Sequence, residues 1–442
     1  MKLRSPLVLL TLALAAPRLT SQAPEAPSVR LSLDEAVTRA RAASARLGQL
    51  RAFQQAADAA LRGARAGRLP QADLSASYTR NSNVPELVLQ FPGAPPRTIF
   101  PNIPDNWRAR AGVGLPLYTG GRVTASVDGA SQQVAAAGLD LQAGAADLTL
   151  EATSAYWSLV TGRESERVLA EALGSYDGHL RDAQNRREQG LAARNEVLAV
   201  QVERDRAELW RLQARNAAEL SAANLRRLLD LPGDTVVEAS EPLSAPPAAN
   251  PERAALEQAA LEARPELKAL QARVAAAEAG VRVQRAAAWP QLSLNAGYDY
   301  ARPNSRILPL SDEWRHTWNL GLTVGVVAFD GGRISAATAQ ARAQADALRQ
   351  QFLDAQRRVR LEVAQRVLEA GTARATLAVT ERGLESAREN VRVAGDRYHE
   401  GVSPSAELLD AETALLRASL SLTEAQASLR IALAGLERAV GR

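Results

Sequence analysis

The sequence contains no cysteine, one methionine and three histidines in 442 residues. Without cysteine there is no disulfide scaffold, thiolate metal site, thiol nucleophile or lipid attachment through an N-terminal cysteine. His179, His316 and His399 are isolated, so no metal centre and no cofactor is expected. Lys2 and Lys268 are the only lysines, leaving 51 arginines among 53 basic residues. Those arginines alternate with acids, the net charge is only +4, and no basic stripe with interleaved aromatics implies a nucleic-acid partner. Aromatics make up 4% of the chain, and Ala, Leu, Arg, Glu and Gln dominate. That is the composition of long helices packed through small residues.

Long apolar runs are also missing, except near the start. Lys2 and Arg4 precede the ten-residue run Leu7–Ala16, too short to span a membrane as a helix. Residues 1–16 therefore read as a secretory signal peptide, with a cleavage point that could lie as late as 23. The remaining chain either is soluble or crosses a membrane as β-strands.

Proline is absent between Pro116 and Pro232 and again between Pro309 and Pro404. Each gap carries apolar residues at helical spacing, for example Leu148, Ala152, Ala155, Leu159 and Val359, Val363, Val367, Ala370. The gaps are parts of a tandem repeat. Gly121 to Gly190 spans 69 residues, and so does Gly332 to Gly401. Gly120-Gly121-Arg122 corresponds to Gly331-Gly332-Arg333, and Glu196-Val197-Leu198 to Glu407-Leu408-Leu409. The two copies cover 30–230 and 251–442, joined by a linker at 231–250 rich in Pro, Ala and Ser.

Each copy reads as helix, strand, loop, strand, long helix, turn, helix. Ser32 and Glu35 form a capping box for the first helix, which is expected to run unbroken to about Gly67. Strands are expected at 71–80, 107–117, 291–300 and 317–328, and long helices at 121–190 and 332–400. The first strand sets Ala72, Leu74, Ala76 and Tyr78 against Asp73, Ser75, Ser77 and Thr79, and the other three alternate likewise. Segments 83–106 and 302–316 read as loops. Eleven of the 18 aromatics fall within 69–120 and 289–330. Tyr78, Trp107, Tyr118, Tyr298, Trp318 and Phe329 fit an interfacial girdle, although closing a small β-core would use the same residues.

A helix of 69 residues is about 100 Å long. The shorter helices, taken end to end, match that length, so each copy can form a two-layered rod with its strands at one end. Four strands cannot close a membrane barrel, so their edges must pair with other subunits.

At this point the chain resembles the outer membrane efflux protein family, the TolC-like exit ducts of tripartite pumps and type I secretion systems. Carrying the likeness are the Pro70 and Pro290 helix-to-strand junctions, Tyr118-Thr119-Gly120-Gly121-Arg122 and Phe329-Asp330-Gly331-Gly332-Arg333. The most specific is Arg397-Tyr398-His399-Glu400-Gly401, followed by Leu408-Leu409-Asp410-Ala411-Glu412. The resemblance implies a homotrimer in outer-membrane lipid: a twelve-stranded barrel, a helical periplasmic tunnel and a belt that includes the linker. It implies a periplasmic adaptor and an inner-membrane pump as partners, and no enzymatic activity.

In that family, carboxylates after the second turn constrict the tunnel, and Glu407, Asp410 and Glu196 match them. Tyr398 resembles a residue that holds the closed state. Its usual basic partner would stand at 403, where this chain has Ser403. Gly190-Leu191-Ala192 and Gly401-Val402-Ser403 look like adaptor-contacting tips, and helix C-cap glycines would use the same positions. Two other readings fit some of the same residues. A soluble periplasmic coiled-coil adaptor or scaffold would share the helices, and a hydrolase could use Glu407 with Asp410. The continuous apolar face of every strand favours the duct.

Overall fold

The computed structural model describes residues 28–243 and 252–442. The signal-peptide segment and residues 244–251 lie outside them. In chain order the elements are β1 (Ser28–Leu31), α1 (Leu33–Ala43), α2 (Ala45–Ala66), β2 (Gln71–Arg80), β3 (Leu87–Leu89), β4 (Arg97–Phe100), β5 (Asp105–Tyr118), α3 (Arg122–Glu188), α4 (Arg194–Leu229) and β6 (Val236–Ala239). The second half follows with α5 (Arg253–Ala263), α6 (Pro265–Ala286), β7 (Gln291–Arg302), β8 (Arg315–Gly325), α7 (Arg333–His399) and α8 (Ser405–Val440). The expected tandem architecture is present.

α3 and α7 are each 67 residues long, close to 100 Å at the usual helical rise. Both begin behind paired left-handed glycines: Gly120 (φ 60°) and Gly121 (φ 86°), Gly331 (φ 65°) and Gly332 (φ 89°). Such backbone is steeply unfavourable for residues with a Cβ, which accounts for the repeated glycine pair. A Cβ at Gly120 would also stand 2.6 Å from the Trp289 Cβ. The residue ahead of each pair caps the helix. Asp330 accepts from the Gly332 and Ile334 amides at 2.9 and 2.7 Å, and Thr119 Oγ1 accepts from Val123 at 3.3 Å.

α3 packs against α1, α2, α4, α6 and α8, whereas α7 packs against α5, α6 and α8. The expectation of one unbroken helix before each strand is corrected. The first breaks at Ser44 (ψ 114°), whose side chain accepts from the Leu47 amide and restarts the helix as α2. The second breaks at Arg264 (ψ 122°) because Pro265 excludes helical backbone from the residue before it. Ser32 and Glu35 do close their capping box.

The largest core surrounds the middle of α3. Ala152, Tyr156, Trp157 and Leu159 meet Ala36 and Ala40 of α1, Leu225 and Leu229 of α4, and Val237 of β6. Burying each large side chain stabilises the fold by about 2–3 kcal/mol before entropy is counted. β1 and β6 pair in parallel here, bringing Ser28–Leu31 against Val236–Ala239. Tyr156 ties this strand pair to the helices: its hydroxyl donates to Leu31 O at 3.1 Å and accepts from the Glu241 amide at 3.2 Å. The sequence predicts neither short strand; 231–250 reads there as a linker.

At one end of the rods β2, β5, β7 and β8 form an antiparallel sheet in that order. Registers carry apolar rows across it, such as Leu74–Ala111–Tyr298–Trp318, and polar rows such as Ser75–Arg110–Asp299–Thr317. β8 stops at Gly325, short of the 317–328 expected, and β3 pairs with β4 as a hairpin inside the segment read as loop. The outer strands β2 and β8 each pair on one side only among the described residues.

Candidate functional site: the helical tip and the strand sheet

The sheet's apolar face lies open. Leu74 is 87% exposed and Trp318 70%, and Phe329, four residues beyond β8, is 90% exposed. A soluble protein would bury such a surface; a lipid-facing band leaves it out. From Trp107 to Tyr118, β5 covers about 37 Å of strand, which at barrel tilt spans an apolar layer of roughly 25 Å. Tyr78 packs on Trp107 with ring centroids 4.4 Å apart and donates to Asp105 at 2.8 Å. Tyr118 stands at the helix-side end of β5, while Tyr298 and Trp318 pair in register further inside the strands.

The opposite end is the helical tip, where α3 turns into α4 and α7 into α8. The two turns have the same construction. Gly190 (φ 76°) and Gly401 (φ 74°) are left-handed. Leu191 N reaches back to Arg186 O at 2.8 Å, and Val402 N to Arg397 O at 2.9 Å. These bonds cap carbonyls that the ending helix leaves open. Leu191 and Val402 project into solvent at 74% and 67% exposure, and Ala192 is half-buried beside Leu191. Ser403 is buried, and its hydroxyl has no hydrogen-bond partner among the described residues.

Tyr398 is buried where the two turns meet. The Arg186 guanidinium carbon lies 4.0 Å from its ring centroid, and Arg186 also holds Asp182 at 3.1 Å. Burial, with the Asp182 carboxylate adding to it, pushes the Tyr398 hydroxyl up to about 12. The phenol therefore stays neutral throughout the physiological range. His179 packs edge-on at 5.5 Å from Tyr398. Its two ring nitrogens contact Glu412 Oε2 at 3.0 Å and Ser405 Oγ at 2.9 Å. α3 is thereby tied to α7 through Tyr398 and to α8 through His179.

Glu407 and Asp410 share the first turns of α8 but differ in surroundings. Glu407 is half-buried and ion-paired with Arg397 at 2.5 Å, whereas Asp410 is exposed. Glu196 accepts from the Ala193 amide at 3.4 Å in the matching turn of α4. Sequence reasoning missed Arg186, Asp182 and the His179 contacts. One signal pointed to Arg186: it stands four residues before Gly190, as Arg397 stands four before Gly401.

An open four-stranded sheet with a lipid-type face, continued by rods of about 100 Å to a pair of helical turns, defines a membrane-duct subunit. The chain belongs to the outer membrane efflux protein family, whose model matches residues 36–230 and 256–442. Family membership places the sheet in the outer membrane and the helices in the periplasm. The chain is 26% identical over 340 residues to outer membrane protein OprJ of Pseudomonas aeruginosa, covering 75% of this chain and 70% of that one. It is 32% identical over 177 residues to protein CyaE of Bordetella pertussis. That match spans 40% of this chain and 37% of CyaE. The solved outer-membrane channel OprN superposes with a TM-score of 0.78 at 23% identity, over 92% of this chain and 89% of that one. The fold of the chain is therefore that of a subunit of this outer-membrane channel, with strands at one end and long helices beyond.

Proposed function

We propose that three copies of this chain form a passive export duct. It would take solutes or proteins from an inner-membrane pump through a periplasmic adaptor to the outside. The observation that carries the reading is the sheet: a continuous apolar face and two unpaired edges, which only closure with other copies satisfies in lipid. Matching unpartnered faces run down the rods. α4 exposes Leu198, Val202, Leu209 and Leu212, and α7 exposes Leu361, Leu368 and Val379. Helix faces of this kind pack against a neighbouring copy.

The tips around Gly190-Leu191-Ala192 and Gly401-Val402-Ser403 are the surface offered to the adaptor, with Leu191 and Val402 as apolar contacts. Asp410, Glu407 and Glu196 set the charge of the periplasmic entrance. Tyr398 holds the resting tip, and Arg186 supplies the cation that Ser403 does not. No catalytic role is assigned to any of these residues.

The test is reconstitution. Membrane fractionation and planar-bilayer recording of the purified full-length protein should find it in the outer membrane as a conducting trimer. Recovery as a soluble periplasmic monomer would favour the scaffold reading instead.

A further inference from the structure

We propose that the outer half of the barrel lumen carries an arginine constriction that attracts multivalent anions. The proposal rests on the duct reading, because it takes the polar face of the sheet as the lumen wall. Strand alternation puts Arg108 and Arg110 on that face, and the register sets Arg110 directly opposite Asp299. Arg108 binds Asp299 Oδ1 through Nε at 2.7 Å and Nη2 at 2.6 Å. Arg110 stands 3.7 Å from Oδ2. One buried carboxylate thus faces two guanidinium groups that remain 51% and 40% exposed.

The wall is shaped for this arrangement. Arg110 lies across Gly297, where a Cβ would come within 3.1 Å of its Nη2. A loop then folds over the same face. Buried Asn304 donates to Thr317 Oγ1 at 3.2 Å, and Thr317 belongs to the Asp299 row. The loop brings in a third cation, exposed Arg306, whose Nη1 donates to the Trp318 carbonyl at 3.0 Å. Nearby Arg315 is paired with Glu313 at 2.6 Å, and Asp73 lies two residues along β2 from the Ser75 position in this row. With all of these counted, four arginines (108, 110, 306, 315) face three acids (73, 299, 313).

Three copies multiply that surplus around one shared axis, and low-dielectric walls focus its field. Rings of arginine select for anions, as rings of carboxylate do for cations. The ligand class is a compact polyanion carrying phosphate, sulfate or several carboxylates, which guanidinium groups recognise through paired hydrogen bonds.

The test uses the full-length trimer in planar bilayers under a potassium chloride gradient, with tripolyphosphate added on the barrel side. Wild type should show tripolyphosphate block. R108S/R110S and, separately, the loop variant R306S should lose block and shift the reversal potential toward potassium. R108K/R110K should retain most of both properties. Equal block and an unchanged reversal potential in conducting R108S/R110S and R306S trimers would overturn the proposal. A wild-type protein that forms no channel would overturn the duct reading and this proposal together; a conducting wild type without block overturns this proposal alone.

Discussion

Arg186 of the first repeat lies over the ring of Tyr398 of the second, 4.0 Å from its centroid and 212 positions away along the chain. This contact joins the two helical turns at the tip. A cation stacked on a buried ring contributes about 0.5–2 kcal/mol. Arg186→Ala should therefore raise the open fraction of the channel several-fold, read as greater resting conductance in planar bilayers. Arg186→Lys should recover part of the closed state. Unchanged resting conductance in Arg186→Ala would remove Arg186 from the latch.

Alkaline pH tests the burial of the same ring. The Tyr398 hydroxyl is held up to about 12, and burial also raises Tyr156 and Tyr176. An unfolded tyrosine loses its proton near 10. Above that pH the unfolded chain binds fewer protons than the folded one. Stability contributed by these phenols is then complete below about 10 and falls as pH rises toward the folded values. Chemical denaturation at pH 9 and pH 11 should show this fall, and Tyr398→Phe should make it smaller.

The acids proposed for the entrance should separate in effect. Glu407 already faces Arg397 at 2.5 Å, while Asp410 is exposed. A carboxylate offset by a neighbouring guanidinium contributes little to a long-range field. Asp410→Ala should lower potassium selectivity more than Glu407→Ala, and Arg397→Ala should raise it. Reversal potentials measured with periplasmic-side salt steps decide the order, and an effect confined to Glu407→Ala reverses the assignment.

These contrasts mark what could be read in the sequence. The doubled architecture was legible because two glycine pairs need left-handed backbone, and 69 residues separate Gly121 from Gly190 as they do Gly332 from Gly401. The strands were legible because lipid on one side and solvent on the other impose alternation, as from Trp107 to Leu115, before the register shift between Pro116 and Tyr118. The break at Ser44 was not, since one hydroxyl accepting from Leu47 inside an Ala-Arg run leaves no periodic trace. Pro265 carries a signal for the break at Arg264, but reading 251–287 as one helix passes over it. β1 and β6 are four residues each and pair across the whole first repeat, which no local pattern encodes. Tyr398 stood in a recognisable motif, but its partner was one arginine among 51, distinguished only by its place before Gly190.

A second inter-repeat tie lies near the end of α8. Buried Arg438 reaches Asp147 of α3 at 2.6 Å and also binds Glu266 of α6. Both acids are partly exposed, so water offsets some of the loss when the cation is removed. Arg438→Met should cost about 1–3 kcal/mol, visible as a lower denaturation midpoint at neutral pH. Arg438→Lys should recover part of that cost, because it keeps a cation beside Asp147 and Glu266. Equal costs in the Met and Lys variants would mean that Arg438 acts through packing alone.

A close approach of α3 to α4 at Gly162 sets the local spacing of the rod. A Cβ on Gly162 would stand 2.9 Å from the Ala218 Cα and 3.0 Å from its nitrogen. Those are backbone atoms of a packed helix and cannot rotate aside, so the helices must separate. Gly162→Ala should destabilise the protein by about 1–3 kcal/mol. Gly178 lies on the same helix with nothing within 4 Å of its Cβ position. There the gain in helix propensity should win, and Gly178→Ala should stabilise by up to about 1 kcal/mol. Opposite signs for one chemical change on one helix would show that contact with α4, not propensity, requires glycine at 162. Matching signs would discard that explanation.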